Sequence, residues 1–182
     1  MNRRSVLALV VSIALALSLP SGVAFAESAR AKKSATIHGE VVHVFDGDSF
    51  VMKSGSRKIE VRVFGIDAPE KTQPWSDRAR SRARELLVGE DVLVLVERGR
   101  DGYGRVVGDV RLDDGRSFAG LMVGEGLAWQ YKRYSNDAEI AALEKKARSA
   151  HRGLWSEKNP EPPWDFRRRG SGSLRRICTQ AR

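Results

Sequence analysis

The run Lys58-Ile59-Glu60-Val61-Arg62-Val63-Phe64-Gly65-Ile66-Asp67-Ala68-Pro69-Glu70 contains a strand and the turn that ends it. Apolar Ile59, Val61 and Val63 alternate with Lys58, Glu60 and Arg62, the period-two pattern of a strand with one buried face. Pro69 cannot donate to a ladder and biases Ala68 toward extended backbone. Arg62 therefore falls on the polar face of a rigid strand, with Asp67 and Glu70 on the turn after it. A cation and two anions held that closely suit a site for a metal ion and a phosphate, provided other segments add the missing groups.

Upstream, Thr36 to Val44 is rich in β-branched residues, Asp46-Gly47-Asp48 is a turn signal, and Ser49 to Met52 resumes the strand. Ser54-Gly55-Ser56 turns again into Arg57 to Phe64, which completes a three-strand meander. Downstream, residues 76 to 88 switch to helical period, with Ser76 as N-cap, an apolar stripe of Ala79, Ala83, Leu86 and Leu87, and Gly89 as the stop. The arginines around that stripe read as a solvated face. Asp91 to Glu97 and Arg105 to Leu112 read as two more strands, separated by the loop Gly99 to Gly104. A short helix follows near Phe118 to Gly126. A third runs to Ala150, capped by Asn136 or Asp137, with Ile140, Leu143 and Ala147 on one face and Gly153 ending it. Five strands interrupted by helices predict an α+β fold: a five-stranded, partly open OB-type barrel with three helices outside. This domain is expected over residues 35–157, after a flexible lead at 27–34.

Asn2-Arg3-Arg4, the apolar run Val6 to Leu19, and Ala24-Phe25-Ala26 form the three parts of a secretory signal peptide over residues 1–26. The apolar run falls short of the roughly 20 residues that span a bilayer. Cleavage near Ala26, export, and no stable membrane insertion are expected. Pro160, Pro162 and Pro163 are expected to stop regular structure and lead into an arginine-rich tail, so that 158–182 reads as a tail throughout. The formal charge of +9 belongs mostly to the two ends, because Arg3, Arg4 and six arginines from Arg167 onward leave residues 27–166 nearly neutral. Such a tail suits either a polyanion or simple solvation. Cys178 is the sole cysteine, which excludes an intrachain disulfide.

His38, His43 and His151 are scattered, and no nucleophile elbow, P-loop or zinc spacing occurs. A triad hydrolase, an NTPase and a zinc enzyme are thereby disfavoured. Three polar clusters remain: Asp46-Gly47-Asp48, Asp67 with Glu70, and Asp101-Gly102-Tyr103-Gly104-Arg105. Each has a bland reading as a turn or a salt bridge. Together they supply hard oxygen ligands of the kind Ca²⁺ prefers and two arginines for phosphate oxygens, the inventory of metal-assisted phosphodiester cleavage.

These segments resemble the signatures of the thermonuclease (staphylococcal or micrococcal nuclease) family. Val44 to Phe50, Arg62 to Glu70 and Asp101 to Arg105 stand in the family's order and approximate spacing, and Gly126-Leu127-Ala128 and Gly153-Leu154-Trp155 are similar to further landmarks. The resemblance covers about Ala35 to Trp155. It implies an OB-fold, Ca²⁺-dependent endonuclease acting on DNA and/or RNA and leaving 3′-phosphates, and a monomer is expected. By motif, Asp48 and Asp67 would be side-chain metal ligands and Ala68 a backbone-carbonyl ligand, although threonine usually stands at that position. Glu70 would activate or orient water, and Arg62 and Arg105 would clamp the phosphate. Tyr103, Tyr131 and Tyr134 resemble the nucleotide-contacting tyrosines, but Ala128 to Tyr134 does not reproduce the family's tyrosine pair, and Gly102 replaces a common lysine. The alternative reading is a non-catalytic OB-type nucleic-acid-binding module.

Overall fold

The alternating runs fold as strands in the computed structural model, which describes residues 35–170. The expected signal peptide, the whole of the lead, and Arg175, Arg176, Cys178 and Arg182 lie outside the described residues. β1 (Thr36–Val44), β2 (Ser49–Ser54) and β3 (Arg57–Val63) form the antiparallel meander. β5 (Asp91–Arg100) and β6 (Val106–Leu112) pair with each other, β5 returns to β1, and β6 runs parallel to β3. The result is a closed five-stranded barrel in the order β1-β2-β3-β6-β5. Closure leaves no open sheet edge among those strands. β5 is longer than the pattern predicted because a bulge between Val96 and Gly99 carries it three residues further.

Inward-facing residues of the strands fill the barrel: Val41, Phe50, Met52, Val61, Val63, Val92, Val94 and Val110 are all buried. Fully burying an apolar side chain of this kind is worth about 1.5–3 kcal/mol relative to leaving it in water. α1 (Ser76–Leu87) buries Ala79, Ala83 and Leu87 against this core. Ser76 is the first helical residue rather than the cap; Trp75 stands before it in the left-handed region at φ 70°, and Ser76 Oγ donates to the Lys71 carbonyl at 2.9 Å. One arginine of α1 departs from the solvated-face reading. Arg82 donates two bonds of 2.8 Å to Glu125 and ties α1 to the end of α2 (Phe118–Gly124).

α3 (Ala138–Ser149) begins as expected, with Asp137 Oδ1 accepting from the N–H groups of Glu139 and Ile140 at 2.8 and 3.0 Å. Its exit differs: His151 takes the left-handed conformation at φ 51°, and Gly153 instead opens a 3₁₀ turn, Gly153–Ser156. Gly126 and Gly153 meet back to back, with Leu154 N–H donating to the Gly126 carbonyl at 2.9 Å. This seam brings Leu154 and Trp155 onto Trp129 and Ala147 in a second small cluster.

Two features escaped the sequence pattern. β4 (Ile66–Asp67) pairs with β7 (Trp129–Gln130), setting Asp67 opposite Trp129. A further helix, α4, occupies 163–170, so the expected set of three helices is incomplete and the proline cluster does not end regular structure. Pro163 stands at the first helical position, where its missing N–H costs nothing and its fixed φ suits the helix.

Candidate active site

Barrel register brings the three polar clusters together. Ser49, Arg62 and Val107 are cross-strand neighbours on β2, β3 and β6. Arg105, two residues before Val107, therefore rises on the same face as Arg62. The turn before β2 places Asp48 beneath them, and β4 carries Asp67 in from the other side, fixed by its pairing with β7.

The side chains form one continuous chain of contacts. Asp101 accepts from Arg105 Nε at 2.9 Å, and Arg105 Nη1 donates to Ser49 Oγ at 3.2 Å. Ser49 Oγ donates to Asp48 Oδ1 at 3.1 Å. Asp48 Oδ2 accepts from the Ala68 N–H at 2.6 Å and lies 3.2 Å from Arg62 Nη2. The same Arg62 nitrogen donates to Asp67 Oδ1 at 2.9 Å. Arg167, on α4, then donates to Asp67 Oδ2 at 2.7 Å and also bonds Glu70. Arg62 is pinned further by donating from Nη1 to the carbonyls of Val63 and Ile66 at 2.7 and 3.0 Å. The salt bridge between Arg62 and Glu70 weighed from sequence is replaced by pairs to Asp48 and Asp67.

Burial sets the electrostatics. Asp67 is 2 % exposed, and burial pushes its carboxyl above the usual range despite hydrogen bonds from Arg167 and the charge of Arg62. Burial also works to raise Asp101, but hydrogen bonds from the Arg105 side chain and from the N–H groups of Arg105 and Tyr103 outweigh it and hold that carboxyl below its ordinary value. Asp46 is a turn acid: its Oδ1 accepts the Asp48 N–H at 3.0 Å. Burial, and then the negative charge of Asp48, push its carboxyl up to about 7.

A prediction follows with a definite sign. An acid whose pKa is raised on folding adds stability below its unfolded value, near pH 4, and loses that contribution as the pH climbs through about 7. Asp46→Asn keeps the accepting oxygen and removes the titration. Urea unfolding in chelator should find it more stable than the parent above pH 7, by on the order of 1–3 kcal/mol after discounting for solvent. The two proteins should converge near pH 4. A gap independent of pH would exclude the buried-acid account.

The tyrosines are distributed unevenly. Tyr103 is 87 % exposed and reaches the site only through Arg105, whose guanidinium lies 5.3 Å from its ring. Tyr131 is half-buried and held beside β4 by its N–H donating to the Gly65 carbonyl at 2.8 Å. Tyr134 packs edge-on against Tyr131 at 4.8 Å and beneath Arg98 at 4.9 Å. His38 and His43 are exposed, and His43 lies edge-on to Phe45.

The donor set fits a hard cation. Asp48 and Asp67 share one guanidinium nitrogen, and the buried Asp67 already holds a positive group on each oxygen. All candidate ligands are oxygens, the preference of Ca²⁺. Among the described residues no three acidic, histidine or cysteine side chains form a ready cage. Such an ion would take two carboxylates, a carbonyl and waters. The missed residues are Ser49, which links Arg105 to Asp48, and Arg167, which sits on two candidate carboxylates from about 100 positions away.

Comparison with known proteins adds an independent line. A family model described as Staphylococcal nuclease homologue matches residues 60–157. Arg62, Asp67, Ala68, Glu70 and Arg105 fall inside that span, Asp48 before it and Arg167 after it. An "Uncharacterized endonuclease" of Escherichia coli is 39% identical over 135 residues, covering 74% of this chain and 88% of that one. A "Micrococcal nuclease" of Shigella flexneri is 38% identical over 144 residues, or 74% of this chain and 82% of its own. "Protein ParB" of Escherichia coli is 35% identical over 178 residues, covering 92% of this chain and 95% of that protein.

Proposed function

The chain belongs to the staphylococcal nuclease homologue family, and from that premise we propose that it is a Ca²⁺-dependent endonuclease of DNA and/or RNA, exported after cleavage near Ala26, whose products carry 3′-phosphates. The observation that carries this reading is the unbroken run from Arg105 through Ser49, Asp48 and Arg62 to Asp67. A protein that only binds polyanions has no use for arginines locked to buried carboxylates.

Asp48, Asp67 and the carbonyl of Ala68 would hold the ion, which when bound supplies a Lewis acid for a phosphoryl oxygen. The chain's own groups do the rest. Arg62 and Arg105 serve as fixed planar hydrogen-bond donors. Presented on one face of adjacent strands, they meet the negative charge that grows on the phosphorus oxygens as water attacks. Glu70, 37 % exposed on its side chain, has the solvent access needed to orient water and take its proton. The P–O5′ bond breaks, so the phosphate stays on the 3′ side. Tyr131 would offer a base a stacking face.

Mature protein with Ca²⁺ titrated in should cut single- and double-stranded DNA and RNA to differing extents, and chelator should stop it. End-group analysis should find 3′-phosphates. Intact polymers at every Ca²⁺ level would refute the nuclease reading, and intact polymers held in a stable complex would establish the binding module instead.

A further inference from the structure

Asp67 and Glu70, read above as metal ligand and water-handling carboxylate, are both held by Arg167. Tyr131, read as a base-stacking residue, already has a ring on its face: Trp164 lies parallel to it, centroids 5.2 Å apart and planes 2° off. Both blocking groups come from α4. We propose that residues 157–170 form an intramolecular strap that closes the site in the absence of metal and is released when Ca²⁺ takes Asp67 from Arg167.

The strap depends on the functional reading above and is argued from four observations. Its residues stand in for both kinds of ligand: a guanidinium where the ion's charge belongs and an indole where a base would stack. Its anchors grip the loop that bears Glu70. The Gln73 side chain donates to the Glu161 carbonyl while accepting the Glu70 N–H at 3.1 Å, and Trp75 Nε1 donates to Glu157 at 2.9 Å. Its hold is electrostatic and replaceable. Arg62 stays on Oδ1 of Asp67, and a divalent ion drawn to Oδ2 would meet the positive charge of Arg167 already held there. Arg167 reaches both Asp67 and Glu70 from α4, so those two ion pairs anchor the helix. Finally, there is room for the substrate once the strap lifts. A cavity of about 950 Å³ lies beside it, lined by Tyr131, Lys132, Arg148, Trp164 and Arg168 among others. The described part of α4 is two turns long, too short to persist by propensity alone.

Three measurements on the full mature chain test this. Calorimetric Ca²⁺ binding should be about tenfold tighter in Arg167→Ala than in the parent, the gain from removing a closed state populated at about 90%. Tryptophan emission of the parent chain should change with Ca²⁺ along the same binding curve, and Trp164→Phe should remove that change. Trypsin should cut after Arg167, Arg168 or Arg169 faster with Ca²⁺ than with chelator. Equal or weaker Ca²⁺ affinity in Arg167→Ala overturns the strap, and so does a lower kcat with unchanged affinity, which would make Arg167 a substrate contact. If parent and variant both give flat calorimetry, the metal reading itself fails; tight Ca²⁺ binding with identical affinities leaves that reading standing and removes only the strap.

Discussion

An Arg62→Lys variant is expected to fold and yet to lose turnover by about three orders of magnitude. Arg62 spreads its donors over four acceptors, the carbonyls of Val63 and Ile66 and the carboxylates of Asp48 and Asp67. A guanidinium does this as a planar fork, whereas a lysine ammonium gathers its donors on one atom and cannot span the set. The lysine still offers positive charge to two buried carboxylates, so the fold keeps its counter-ion. Arg62→Ala is the poorer test, because stranding that pair of acids costs about 3–5 kcal/mol and mixes instability with lost chemistry. The measurement is kcat and KM beside a urea midpoint for Arg62→Lys. A kcat within a few-fold of the parent would remove Arg62 from the reaction.

Gly126→Ala should cost about 3–5 kcal/mol, a large share of the roughly 5–15 kcal/mol that holds a domain together. Gly126 sits at φ 72°, and a Cβ there would lie 2.2 Å from the Arg152 carbonyl oxygen. The reciprocal Cβ on Gly153 would lie 2.2 Å from the Gly126 oxygen. The obstacle on both sides is backbone, which cannot swing away as a side chain can. The lesion also reaches the site, since this seam seats Trp155 against Trp129, and Trp129 is the partner of Asp67 across β4 and β7. Urea unfolding and the temperature of half-inactivation should both fall sharply. A midpoint change worth under 1 kcal/mol would show that the two backbones separate more easily than their contact implies.

The barrel was legible because its strands announce themselves by alternation. Ile59, Val61 and Val63 carry the same face that Phe50 and Met52 fill from β2. The helix caps were legible where a side chain makes the cap, as at Asp137, and were misplaced where backbone alone does so, as at Trp75 before α1. β4 and β7 have two residues each, which is too few to show a period. Helix α4 was missed for a different reason. Three prolines were read as a stop, although the last of them opens a helix, and proline serves both roles. Of the candidate site, Asp48, Arg62, Asp67, Glu70 and Arg105 could be proposed because each lies in a compact local motif. Their pairings could not, because Arg62 binds across a turn and Arg167 across most of the chain, where no local pattern reaches. The family resemblance supplied roles for the motif residues, but it ends near Trp155 and gives none to Arg167.

The parallel seam between β3 and β6 has a consequence for how the protein comes into being. Its partners Arg62 and Val107 are about 45 residues apart, with α1 and β5 between them. Parallel, non-local pairing of this kind forms late, since the loop must close before any contact rewards it. Arg62 and Arg105 stand on opposite sides of the seam. A growing or refolding chain thus owns a formed meander well before Arg62 and Arg105 stand side by side. The recovery of cleavage during refolding should lag the recovery of strand signal. A chain whose barrel has not yet shut would lack this pair of arginines on one face.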